Sequence, residues 1–216
     1  MNSVERVYAF ATLPPGSIVE FDYPNFASTT GLALVGNAAQ SGSVINITTA
    51  TGGQAGNVYR SSAIRFNRSF SFQLNFDCSG GSVPPADGFC LQWTTTNNLT
   101  GLPGGGVSRI ADASTINALT FLTYTNKQFT WYKNNVVQTT QTNQDFYRNL
   151  FYWADYNYGA STMNIYFSTT NTKPVSANFA LTGFVFDATN YYIGLGAATG
   201  GAYENHILRS MKLTFT

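Results

Sequence analysis

Apolar and polar side chains alternate with a period of two along much of this chain, most clearly at Phe70, Phe72, Leu74 and Phe76 against Ser71, Gln73 and Asn75. Successive side chains of an extended strand point to opposite faces, so this apolar set lies on one face, toward a core. Comparable runs occur at Ser43 to Thr49, Phe89 to Thr95, Asn117 to Tyr124, Gln128 to Tyr132, Leu150 to Tyr156, Met163 to Ser168, Tyr191 to Ala197 and Ile207 to Phe215. Turn-rich stretches such as Cys78 to Asp87 and Asn97 to Gly106 separate them. Helical periodicity is weak, with one short helical turn expected around Ala177 to Gly183. The pattern predicts an all-β chain, a sandwich or jelly roll of two sheets.

Composition refines this picture. A chain of 216 residues with 44% hydrophobic content buries a substantial core, and at this length a β-sandwich forms one domain. Pro14-Pro15-Gly16 sets the start apart, so residues 1–19 are expected to form an N-terminal arm or extra edge strand and residues 20–216 the domain. The net charge is +1, and neither Lys nor Arg forms a run, so no nucleic-acid or anionic-membrane partner held by counterion release is expected. The first residues lack the charged start and apolar stretch of a secretory signal, and no segment is apolar for long enough to span a bilayer. A soluble protein is expected, acting extracellularly or at a cell or virion surface.

Candidate chemistry is sparse. Among the acidic residues only Glu20 and Asp22 are spaced to share a strand face. A glycoside hydrolase needs two carboxylates about 5 to 9 Å apart across the scissile bond. With a single histidine and dispersed cysteines, a nucleophile–histidine arrangement is equally unsupported, so no catalytic residues are expected. Cys78 ends one strand-like run and Cys90 sits in the next, which leaves two readings: a disulfide across an antiparallel pair, or two buried free thiols. Their spacing is not that of a zinc site.

Several motifs fall in a recognisable order: Phe21-Asp22-Tyr23-Pro24-Asn25-Phe26, Gly56-Asn57-Val58-Tyr59, Ser69-Phe70-Ser71-Phe72, Pro85-Ala86-Asp87-Gly88-Phe89, Trp153-Ala154-Asp155-Tyr156, Gly194-Leu195-Gly196-Ala197-Ala198-Thr199-Gly200 and Glu204-Asn205-His206-Ile207. From about Glu20 to the C-terminus the chain resembles the L-type (legume-like) lectins. The resemblance implies a concanavalin A-like jelly roll of two antiparallel sheets with a non-catalytic sugar site built by loops on the concave sheet. It assigns Asp87 as the carboxylate that accepts hydrogen bonds from sugar hydroxyls, in the fork geometry that suits a carboxylate. Gly105 and Gly106, in the run that Gly104 opens, would present backbone N–H groups, and Asn126 a side-chain amide. Tyr124 would stack on the sugar or close its loop. Gly201, Ala202 and Tyr203 would form the last loop, whose short span from Gly200 to Glu204 resembles mannose- and glucose-binding members. His206 is expected to make a structural hydrogen bond.

The likeness breaks at the metal. Where calcium-dependent members carry two acidic ligands on a strand, this chain has Thr120 and Leu122, and Lys127 to Trp131 add no carboxylate. Calcium takes about six to eight oxygens, several of them usually anionic. No cofactor is expected, and calcium only if ligands come from elsewhere. The expectation is therefore a lectin-like glycan-binding module with a reduced or lost calcium site. The alternative is a structural subunit of a virion or other extracellular assembly, in contact with neighbouring subunits, that keeps the fold without binding sugar.

Overall fold

The computed structural model describes residues 15–112, 115–125, 127–187 and 189–216. Most of the expected arm, including its strand-like run Val4 to Phe10, lies outside them. In chain order the strands are β1 (Ile18–Tyr23), β2 (Leu32–Gly36), β3 (Ala39–Ser41), β4 (Val44–Thr48), β5 (Ala55–Arg60), β6 (Ile64–Arg65), β7 (Phe70–Ser79) and β8 (Gly88–Thr94). They continue with β9 (Thr115–Leu122), β10 (Phe129–Lys133), β11 (Val136–Gln141), β12 (Asn149–Asn157), β13 (Thr162–Ser168), β14 (Phe179–Thr182), β15 (Asn190–Ala198) and β16 (Asn205–Phe215). Among the described residues there is no helix. The turn expected around Ala177 to Gly183 is instead β14, whose Phe179 and Leu181 alternate into the core while Ala180 and Thr182 are exposed.

Two antiparallel sheets of eight strands face each other. One runs β14-β13-β12-β7-β16-β4-β3, with β1 joining the same edge of β16 beyond β4; the other runs β11-β10-β9-β8-β15-β5-β2, with β6 beside β15. The alternation seen in Phe70 to Phe76 directs those side chains between the sheets. Phe76 of the first sheet stacks on Phe89 of the second with ring centroids 4.1 Å apart, and Phe129 stacks on Phe179 at 4.0 Å. Such rings bury large apolar areas between the sheets. Met211 fills a core position on β16.

The two cysteines are free and buried. β7 and β8 are consecutive but belong to different sheets, so Cys78 and Cys90 do not face each other across an antiparallel pair. Cys78 packs in the core with Phe76, whereas Cys90 lies on the opposite side of β8 from Phe89 and Leu91. Burial pushes the Cys90 thiol up to about 12. Glu20 and Asp22 fall on β1, where Asp22 pairs with Lys212 at 2.9 Å; that pair of acids is an edge-strand feature.

The outer face of the second sheet is also buried. Residues 97–110 fold across it and are tied down by Asn57, whose Nδ2 donates to Ser108 Oγ at 2.9 Å and to the carbonyls of Ser108 and Leu99 at 3.3 Å. Asn57 Oδ1 accepts from Gln92 Nε2 at 2.9 Å, and Gln92 Oε1 accepts from the Ile110 N–H at 3.0 Å. The glycines of β15 make room for this layer. A Cβ on Gly196 would sit 2.1 Å from Asn57 Oδ1, and one on Gly194 would sit 2.4 Å from the Tyr59 ring. This layer sets the height of the loop that carries Gly104.

Candidate functional site

Four loops converge at one end of the sandwich. Asp87 leads into β8 after a cis Ala86–Asp87 peptide. Its N–H donates to the Ala198 carbonyl at 3.0 Å, and its own carbonyl accepts from the Thr123 N–H at 3.0 Å. The backbone of Asp87 is thus held on one side by β15 and on the other by the loop after β9. The residue is 8% exposed, and its Oδ2 has no hydrogen-bond partner among the described residues. Burial is the main reason its carboxyl is held above the ordinary carboxylate value; His206 acts to lower it and Glu204 to raise it further.

Two glycines close over that oxygen. The Gly104 N–H donates to the Thr199 carbonyl at 3.1 Å. A Cβ added to Gly200 would lie 3.1 Å from Asp87 Oδ2 and 3.4 Å from Gly104 Cα. Gly104 is thus the member of the run whose backbone is tied to the Thr199–Gly200 loop, while Gly105 and Gly106, the residues expected from sequence, are exposed beside it. Tyr124 is 42% exposed at the turn after β9. Asn126 lies outside the described residues.

The last loop is anchored from both sides. Gly200 accepts from the Gly53 N–H at 3.0 Å, and Thr199 Oγ1 donates to the Thr51 carbonyl at 2.6 Å. The Tyr203 N–H donates to Ser82 Oγ at 2.8 Å while its carbonyl accepts from the Ser82 N–H at 2.9 Å. Gly201 is exposed at the tip, and Ala202 and Tyr203 are half-buried beside it.

Behind the loops runs a buried polar chain. Thr48 Oγ1 and His206 Nδ1 share a hydrogen bond of 2.6 Å, and His206 Nε2 lies 2.9 Å from Glu204 Oε1. Glu204 Oε1 also accepts from the Thr123 hydroxyl. His206 therefore makes the structural contacts expected of it, with both ring nitrogens engaged. Thr123 is the residue that sequence reasoning missed: its backbone holds Asp87 and its side chain holds Glu204. Glu204 is fully buried, whereas Asp87 stands next to the surface of these loops.

Neither position that the resemblance assigns to a calcium ligand carries a carboxylate. The Thr120 hydroxyl donates to the Thr130 carbonyl at 3.2 Å, and the Leu122 side chain has no ligand atom. The turn between β9 and β10 is closed by its own backbone, Leu122 N–H to Gln128 O at 2.8 Å and Lys127 N–H to Tyr124 O at 2.7 Å. No helix among the described residues is long and apolar enough to cross a membrane.

No protein-family model and no curated protein matches the chain. Solved structures do. A lectin from Bauhinia forficata in complex with GalNAc is 19% identical over 93% of this chain and 98% of that one, with a TM-score of 0.77. Arcelin-5, a lectin-like defense protein from Phaseolus vulgaris, is 17% identical over 93% and 98%, with a TM-score of 0.76. The exoplasmic/lumenal domain of VIP36, bound to Ca2+ and Man3GlcNAc, is 18% identical over 86% and 83%, with a TM-score of 0.70. With the sixteen strands of the described residues in two antiparallel sheets superposing on these lectins, the chain has the concanavalin A-like fold of the L-type lectins.

Proposed function

We propose that this protein is a non-catalytic carbohydrate-binding module that anchors a sugar hydroxyl on Asp87 and does so without calcium at the family position. The observation that carries the reading is the buried, unpartnered Asp87 Oδ2 beneath Gly104 and Gly200. A buried carboxylate oxygen without a donor is costly, and an external hydroxyl supplies what the described residues do not. Because the two residues over it carry no side chains, a shift of loop backbone alone admits a hydroxyl. The Thr123 N–H, bonded to the Asp87 main-chain carbonyl, fixes the backbone from which the carboxylate projects by direct protein contact. The solved neighbours include proteins complexed with GalNAc, methyl-alpha-D-galactose and mannose-containing ligands. The short Gly200 to Glu204 loop favours a mannose- or glucose-type ligand, with Gly105, Gly106, Tyr124, Asn126, Gly201, Ala202 and Tyr203 around it.

The test is isothermal titration of a glycan ligand against wild type and Asp87→Asn. An ionised hydrogen bond contributes roughly 1.5 to 3 kcal/mol, so the variant should lose at least about tenfold in affinity. Unchanged affinity in a folded variant would sink the reading. It would favour the second one, a subunit of a virion or other extracellular assembly, for which the edge strand β11 offers Val136 and Val137, 62% and 52% exposed.

A further inference from the structure

We infer that Cys78, Glu204 and His206 form a buried binding site for a borderline-soft divalent metal ion, zinc being the best match. Their ligand atoms, one Sγ, one carboxylate oxygen and one imidazole nitrogen, all lie within 4.8 Å of one another. The strands place them there. His206 on β16 is the register partner of Cys78 on β7 on one side and of Thr48 on β4 on the other, and Glu204 enters immediately before β16. Cys78 thus meets two residues far from it in sequence, Glu204 and His206, inside the sandwich, which is why cysteine spacing gives no sign of the site.

The chemistry of the set is selective. A thiolate, an imidazole and a carboxylate are zinc ligands at about 2.0 to 2.3 Å. They are a poor set for calcium or magnesium, which take oxygen ligands. His206 Nε2 and Glu204 Oε1, 2.9 Å apart, are close enough to share an ion at such distances. On the other side of the ring, Nδ1 is engaged by Thr48, the outer contact that orients a ligating histidine and leaves Nε2 facing the metal. Glu204 Oε2 is buried without a partner, so this fully buried carboxylate has unused ligand capacity. A dication with one thiolate, one carboxylate and a neutral imidazole sums to zero charge, as an interior site demands. The three side chains leave a fourth tetrahedral position for a water or the Thr123 hydroxyl. This site is separate from the glycan reading, and neither needs the other.

Because the ligands have no exposure, metal should be introduced during expression or refolding, followed by desalting and elemental analysis. The expected result is one zinc ion per chain in wild type and in Cys90→Ala, with loss in Cys78→Ala and His206→Gln. Refolding with cobalt should give an intense near-ultraviolet thiolate-to-metal band in wild type, a readout that stands even if the Cys78 and His206 variants fail to fold. Zinc should also raise the unfolding temperature with no glycan present. Wild type that retains only traces of zinc, or a cobalt spectrum without a thiolate band, would overturn the assignment.

Discussion

Asn57→Ala tests how the front loop is held in position without touching the proposed glycan surface itself. Asn57 is fully buried and makes four hydrogen bonds: to Ser108 Oγ, to the Ser108 and Leu99 carbonyls, and from Gln92 Nε2. Truncation removes its amide and leaves its former partners under-satisfied inside the protein. Each buried polar group left without a partner costs about 1 to 3 kcal/mol. Tyr59 Oη, 3.5 Å from Gln92 Nε2, recovers only part of one of them. A cavity beside Gly196 adds to the loss, so the expected destabilisation is about 3 to 5 kcal/mol. Urea denaturation at unchanged m-value measures it. Hydrogen exchange should accelerate first over residues 97–110, and glycan affinity should fall because Gly104 loses its support. A loss below about 1 kcal/mol, or exchange that stays unchanged in this segment, would refute the view that Asn57 clamps the loop.

Three further outcomes are expected. Glycan binding should weaken as pH falls through the raised Asp87 value, with a midpoint above the ordinary 3.8, in a titration where Asp155→Asn leaves the profile in place. A raised carboxylate value means the native state binds this proton more readily than the unfolded chain, so Asp87 adds stability below that midpoint and loses it as pH rises; binding should therefore decline on acidification without unfolding caused by Asp87. Gly200→Ala, whose Cβ would crowd Asp87 Oδ2 at 3.1 Å, should reduce affinity roughly tenfold while stability shifts by less than about 1 kcal/mol; full affinity would show that Gly200 does not border the ligand. Thr123→Val removes the hydroxyl bonded to Glu204 and should cost about 1 to 3 kcal/mol, with Thr123→Ser restoring most of it in thermal or chemical melts.

What could be read from sequence depended on how each strand is covered. β7 has one core face and one more open face, so Phe70 to Phe76 alternate visibly. β5 is buried on both faces because residues 97–110 roof it, so Ala55, Gly56, Asn57, Val58 and Tyr59 show no alternation. β11 is largely exposed, so Val136 to Gln141 lack an apolar face to reveal them. The position of Asp87 was legible from the motif around it. The contacts of Gly104, Thr123 and Gly200 were not, because they depend on three other loops meeting Asp87, and sequence spacing does not encode that meeting. The glycines at 194 and 196 are explained only by the bulk of Tyr59 and Asn57 on the neighbouring strand.

The most direct measurement is a glycan array probed with wild type and Asp87→Asn, each in calcium-containing buffer and in buffer freed of calcium over a chelating resin. Calcium-independent binding by wild type that disappears in Asp87→Asn is the predicted result. Binding that requires calcium would contradict the reading of Thr120 and Leu122, and no glycan bound under either condition would contradict the assignment of a carbohydrate-binding module.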